Sequence, residues 1–340
     1  MKKTFAMLLA MAMTLSLAAC TTSEPEKAPE ADPAPSVETV KGGKDGGTSL
    51  NFTTGGDQGT YHGFGGVIAG KVGEATSTTV TAITSGGSKA NIEAMAAGDA
   101  QLGFVQTDVG AYAYEGTRLF EEKVDNFSTV ANLYMEQVQI VTLDENIKTV
   151  DDLAGKNVSV GASGSGVFFN AVDVLGAYGL DIHAGDINPT YQAFGDSVEA
   201  LQDGKIDAAF VVAGAPTTAV TSLAATKQVY LVSLDQEHID ALIAESPYYS
   251  PNTIAADVYG TPADVTTVAV GAVVIARDDV SAADVYNFLY GTFENLDSIT
   301  AAHAKGAELS LEFAASYGAV PYHPGAVEYF KEKGIDVPAK

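Results

Sequence analysis

A single cysteine, Cys20, stands in 340 residues, so no disulfide can form within the chain and cysteine-based metal sites are excluded. Arginine is nearly as scarce. Only Arg118 and Arg277 are present, so a site for an anion must lean on something besides guanidinium groups. The five histidines, His62, His183, His238, His303 and His323, fall at no metal-ligand spacing. Long apolar runs are missing too: the one at the start is short of the ~20 residues that span a bilayer, and nothing later matches even that. Positive charge is outnumbered, with 18 Lys and Arg against 43 Asp and Glu and a formal net charge of −25. That balance excludes nucleic acid as a partner. It says little about a small ligand, because surface carboxylates mainly keep a protein soluble and a local site can oppose the global field.

What the chain does contain begins with Met1-Lys2-Lys3, the only charges ahead of a run from Phe5 to Ala19 that is apolar except for Thr14 and Ser16. This is the layout of a signal peptide, here over 1–19. Leu17-Ala18-Ala19-Cys20 resembles the bacterial lipobox, which implies a lipid on Cys20 as the only membrane attachment and an extracytoplasmic, membrane-anchored location. Residues 20–47 are rich in Glu, Pro, Ala, Gly and Lys; such a composition cannot offset the entropy of ordering and reads as a flexible tether. The remainder is long enough for two lobes of ordinary domain size.

From Ser49 onward, short runs rich in Val, Ile and Phe alternate with longer amphipathic stretches, the pattern of a βαβ architecture with parallel strands. Leu50–Thr53, Thr79–Ile83, Gln101–Val105, Val158–Val160, Asp207–Val212 and Val268–Ile275 read as strands. Tyr61–Val72, Ser88–Ala97, Val167–Tyr178, Asp196–Gln202 and Ala282–Leu296 read as helices. Two stretches repeat: Gly59-Thr60-Tyr61 is matched by Gly164-Ser165-Gly166 after 105 residues, and Phe104-Val105 by Phe210-Val211 after 106. The repeat predicts two lobes of similar build facing a cleft. Lobe 1 takes 48–136 with 269–340 and lobe 2 takes 137–268. The chain crosses at Glu136–Thr142 and again at Val268–Ile275, and the helices after Ser281 return to the first lobe.

Gly55-Gly56-Asp57-Gln58-Gly59-Thr60-Tyr61 follows a strand and opens a helix, and Gly161-Ala162-Ser163-Gly164-Ser165-Gly166 does the same. Such loops bring backbone N–H groups and a positive helix end to an anion; singly, each is also an ordinary tight turn. Ser88 reads as a helix cap, with Lys89 and Asn91 on the first turn, within reach of a carboxylate. Gln106 and Asp108 sit at the C-terminal end of a strand, where parallel sheets hold their ligands; Asp108 also suits a capping role. Enzyme motifs fail. Gly65–Gly70 with Lys71 imitates a P-loop, but Val72 stands where Ser or Thr must hold magnesium, and Ser163 lacks the second glycine of a nucleophile elbow. A secreted hydrolase using Ser163 or Ser165 would need a histidine nearby, and the spacing supplies none. No cofactor or metal is expected.

These loops carry a resemblance to the TAXI family of solute receptors, which serve TRAP transporters. Its carriers are Thr54-Gly55-Gly56 with Gly59-Thr60-Tyr61, Gly87-Ser88 with Asn91, Phe104-Val105-Gln106 with Asp108, Val160-Gly161 with Ser163-Gly164-Ser165-Gly166, Gly204–Ala208, Gly214 with Pro216, and Pro321–Ala326. The resemblance implies an α/β, type II Venus-flytrap fold with two hinge-crossing strands, closing on a small carboxylated solute such as glutamate or a dicarboxylate like 2-oxoglutarate. It implies delivery to the membrane subunits of a TRAP permease. Carried over residue by residue, the pocket would use Gly59, Thr60 and Tyr61 from one lobe and Ser163, Ser165 and Gly166 from the other, with Ser88, Asn91, Gln106 and Asp108 nearby. Lys89-Ala90 departs from the Val-Glu pair common in the family, and Tyr322 replaces a usual Leu; a cleft-facing Lys89 would favour an extra carboxylate. Service to a different transporter or a sensor stays open on the sequence.

Overall fold

The computed structural model describes residues 38–118 and 120–340. The expected signal peptide, the lipidated Cys20 and the tether as far as residue 37 lie outside the described residues. The described chain opens with β1 (Ser49–Thr53), α1 (Thr60–Ala75), β2 (Thr79–Ile83), α2 (Ser88–Ala97), β3 (Leu102–Gln106), α3 (Thr107–Glu115) and the long β4 (Phe127–Thr142). The middle runs through β5 (Asn157–Ser159), α4 (Gly166–Ala177), β6 (Asn188–Thr190), α5 (Phe194–Gln202), β7 (Ala208–Ala213), α6 (Thr218–Ala224), β8 (Tyr230–Leu231), α7 (Gln236–Glu245), β9 (Ser250–Ile254) and the long β10 (Val265–Arg277). Helices α8 (Ala282–Phe293), α9 (Leu296–Ala302), α10 (Leu311–Ala314) and α11 (Pro324–Glu332) finish it. None of the described helices is long and apolar enough to cross a membrane.

The strands form one mixed sheet in the order β2-β1-β3-β10-β4-β7-β5-β6. Within each half the three short strands are parallel, as the alternation of strands and helices predicts, but β4 and β10 run antiparallel to their neighbours. These two carry the chain between lobes. β10 pairs with β9 through Val265–Ala269 and with β3 through Ala272–Ala276. β4 pairs with β10 up to Gln137 and with β7 from there to Thr142. The partner exchange in both strands falls at the same level of the sheet, so a bend there moves one lobe against the other.

Side-chain alternation explains how one sheet serves several cores. In β10, Ala272, Val274 and Ala276 face a core with Phe52, Phe64, Tyr134 and Phe288, where α8 and α11 also pack, while Val273 and Ile275 face Ile92 and Val109. In β7, Phe210 and Val212 pack with α4 and α7, and Ala209 and Val211 with α5 and α6. Both faces are covered, so these strands read as unbroken apolar runs. The 106-residue offset is visible in the fold: α1 and α4, α2 and α5, and β3 and β7 each start 106 residues apart.

The tether expected to reach Gly47 is docked over its described part. Gly42 N donates to Ala75 O at 2.9 Å, Val40 N to Asn295 Oδ1 at 2.7 Å and Lys44 N to Asn287 Oδ1 at 2.6 Å. A Cβ on Gly42 would lie 2.2 Å from the Tyr290 hydroxyl, so the strap follows the α8 surface closely. It is held by backbone groups and by the Lys44–Glu328 ion pair, not by apolar side chains, which is why composition hides it. Asn287 is fully buried and also donates to Lys44 O and Thr78 Oγ1. Asn287→Ala should therefore cost about 2–3 kcal/mol in denaturant unfolding by stranding buried partners; a loss indistinguishable from zero would show that the strap is not held there.

Candidate functional site

Between the lobes lies a cavity whose empty space, open mouth included, is about 640 Å³. Four helices open onto it. The residues preceding or starting α1 (Gly59, Thr60, Tyr61), α2 (Gly87, Ser88), α4 (Ser165, Gly166) and α5 (Ala193, Phe194) all line the wall. None of these four has a side chain capping its first turn. Elsewhere α7, α8, α10 and α11 are capped by Asp235, Ser281, Ser310 and His323, whereas α3, whose preceding residue Gln106 also lines the wall, and α6 and α9 away from it have no side-chain cap. An uncapped helix start leaves backbone N–H groups open to other acceptors and carries a positive end; at α2 one of them, Ala90 N, is taken by Gly164 O, and the remaining N–H groups of the four starts give the wall a positive character from backbone alone. No lysine, arginine or histidine lines the cavity.

Side chains add a second pattern. Tyr61, Gln106, Glu136 and Ser165 line the wall, are no more than 8 % exposed, and each has a buried polar atom without a protein partner: Tyr61 Oη, Gln106 Oε1, Glu136 Oε2 and Ser165 Oγ. Unpartnered polar atoms are costly inside a protein and mark a site when they converge. The Tyr61 ring is fixed by stacking on Phe104 at 4.6 Å between centroids. Gln106 is held at its backbone, whose N–H donates to Ser88 Oγ at 3.1 Å. Burial pushes the Glu136 carboxyl up to about 8, with Asp108 raising it further and Tyr61, Lys305 and Gln106 opposing.

Of the residues singled out by the sequence, Gly59, Thr60, Tyr61, Ser88, Gln106, Ser165 and Gly166 lie on this wall, and Lys89, Asn91, Asp108 and Ser163 do not. Lys89 pairs with Glu93 along its own helix and lies 5.6 Å from the Phe120 ring. Asn91 braces the wall from behind, donating to Thr54 O and Phe104 O at 2.7 Å each and so clamping the end of β1 to β3. Asp108 is buried, accepts from Asn170 Nδ2 at 3.0 Å and is lifted to about 6 by burial. Ser163 is exposed. Sequence reasoning missed Glu136 as a site residue and the start of α5. The first could have been found as a lone carboxylate in an apolar strand, and the second by adding 106 to Ser88. No cluster of metal-ligating side chains occurs among the described residues.

The lobes touch around the cavity. Ala90 N donates to Gly164 O at 3.0 Å, Ala219 N to Gln58 O at 3.2 Å, and Thr60 Oγ1 to Gly214 O at 2.9 Å. Gly166 is where a side chain is least tolerable: its Cβ would fall 1.9 Å from Gln106 Oε1 and 2.8 Å from Ser88 Oγ, both on the opposite lobe. Gly166→Val should therefore weaken solute binding by ~10-fold or more by opposing closure, while the thermal midpoint of the unliganded protein moves by no more than about 2 °C. Calorimetry and a melting curve on the same sample check both, and unchanged affinity would mean that the lobes need not meet there.

Solved structures with the same two-lobed architecture include one titled a periplasmic transporter (13% identity, 84% of this chain and 92% of that one, TM-score 0.52). Another is MatC of Rhodopseudomonas palustris with bound malate (14% identity, 77% and 90%, TM-score 0.51). A third comes from Bordetella bronchiseptica RB50 (15% identity, 84% and 82%, TM-score 0.50). At these identities the likeness is one of fold: two α/β lobes facing a cleft. The sequence profile of the NMT1-like family matches residues 52–334. With so much of the chain matched, this protein belongs to the NMT1-like family.

Proposed function

We propose that the protein is an extracytoplasmic receptor that closes its two lobes on a small carboxylated solute and hands it to a membrane permease. It is a binding protein and not an enzyme. The observation that carries the solute class is the meeting of four uncapped helix starts in one cavity that no cationic side chain lines. A carboxylate is the group that such N–H donors compensate, and in a closed cleft they act at low dielectric with no reorganisation.

The solute touches groups on both lobes, so it binds the closed arrangement more tightly and shifts a pre-existing equilibrium toward it. Gly59, Thr60, Tyr61, Ser88 and Gln106 supply one side, and Ser165 and Gly166 the other. The finer reading is a TAXI-type receptor working with a TRAP permease, anchored through a lipid on Cys20. It is supported by the order and spacing of the motifs from Thr54 to Ala326.

The first test is calorimetry on the whole chain, unfolded and refolded to strip bound solute, against glutamate, glutamine, 2-oxoglutarate and C4-dicarboxylates. One-to-one binding of one of these without turnover is expected; silence across the panel would remove the solute class. In whole cells, uptake of the bound solute should collapse on dissipation of the ion gradient, whereas uptake that follows ATP alone would contradict the TRAP pairing.

A further inference from the structure

Resting on that receptor reading, we infer that Glu136 is the specificity residue of the site and that it reads an ammonium group, so the receptor selects α-amino acids over the matching deaminated acids. Glu136 lies on β4 opposite Val270 of β10, beside the point where β4 passes from β10 to β7, and so forms the floor of the cavity at the hinge. It is 2 % exposed; its Oε2 makes no hydrogen bond of good geometry, although Tyr61 and Gln106 stand near enough to favour its ionised form. Next to it, Gln106 Oε1 is likewise an unpartnered acceptor. The floor thus gathers acceptors while the helix starts gather donors. A plain dicarboxylate satisfies only the donors and brings no N–H group for the Gln106 and Glu136 oxygens, nor a positive charge that would favour the ionised form of Glu136. An α-amino acid satisfies both, its carboxylate on the N–H groups and its ammonium between Glu136, Gln106 and the Tyr61 hydroxyl.

No other charge takes this role. The Lys305 ammonium is paired with Glu308 and lies 5.7 Å from the Tyr134 ring. Asp108 faces Asn170. Asp57 lines the cavity at an exposed position. The groups that bear on the Glu136 carboxyl are Tyr61 from α1, Asp108 from α3, Gln106 at the end of β3 and Lys305 after α9. In the empty site burial holds that carboxyl protonated up to about pH 8. An arriving ammonium favours the ionised form, so binding at neutral pH releases a proton from Glu136 to solvent. Affinity for an amino acid therefore rises with pH below about 8, by at most ~10-fold per unit, and levels off above it.

The experiment titrates the refolded whole chain with matched pairs: L-glutamate and glutarate, L-aspartate and succinate, L-leucine and isocaproate. In at least one pair the amino acid should bind ~100-fold more tightly than its partner, with proton release shown by the dependence of the heat on buffer ionisation. Glu136→Gln keeps the shape and removes the charge; it should abolish both the proton release and most of the discrimination, while a melting curve confirms folding. Deaminated acids binding as well as or better than the amino acids would overturn the role of Glu136 and leave the receptor reading intact. Discrimination and proton release that persist in Glu136→Gln would also overturn it. Failure of every member of every pair would remove the receptor reading for carboxylated solutes together with this one.

Discussion

A carboxylate taken out of water must find compensation for several kcal/mol of lost hydration, and this chain has almost no guanidinium groups with which to provide it. The structure meets that constraint with backbone. Four helices start at one cavity without side-chain caps, and the glycines around them allow close approach. Much else follows from putting four helix starts in one place. The starts belong to two lobes, so the site is complete only when the lobes meet. The lobes are joined by β4 and β10, whose partner exchange sets where the molecule bends.

On the proposed reading, the same constraint lets a strongly acidic protein hold an anion. The net charge of −25 is a surface property, while the cavity wall has its own field made of oriented peptide dipoles. Within that wall Glu136 is the counterweight. A buried carboxyl whose Oε2 makes no hydrogen bond of good geometry is expensive, and it is tolerated where a ligand completes it. Its position on β4, beside the exchange of partners, would place the proposed recognition and closure on one element.

Much of this was legible in the sequence. The limits of β2 and α2 coincide with their sequence-predicted bounds, because Thr79–Ile83 alternates cleanly and Ser88 follows a glycine turn. The duplicated loops at Gly59 and Gly164 located two of the helix starts, and their spacing announced two similar lobes. The first nine residues of β4 were not legible: Phe127–Met135 is almost wholly buried with Ser128, Thr129 and Asn132 among its apolar residues, and a segment covered on both sides has no polar alternation to separate strand from helix. The antiparallel entry of β4 and β10 was hidden for the same reason. Lys89 looked like a candidate for the cleft because helical spacing places it beside Ser88, yet Glu93 one turn on offers it a partner along the same face. The docked strap, the remaining surprise, depends on its peptide groups meeting Asn287 and Asn295, 243 and 255 residues away, a pairing that no local pattern announces.

The measurement that bears most directly on the whole account is the amide proton spectrum of the isotope-labelled protein as L-glutamate is added. If a carboxylate is held by helix starts, the N–H signals of Thr60, Tyr61, Gly166 and Val167 should move downfield together and saturate at one equivalent, as N–H groups do on gaining a charged acceptor. Binding that leaves those four amides unmoved and shifts signals elsewhere would contradict the central claim, because the compensation for the bound charge would then come from somewhere other than the backbone.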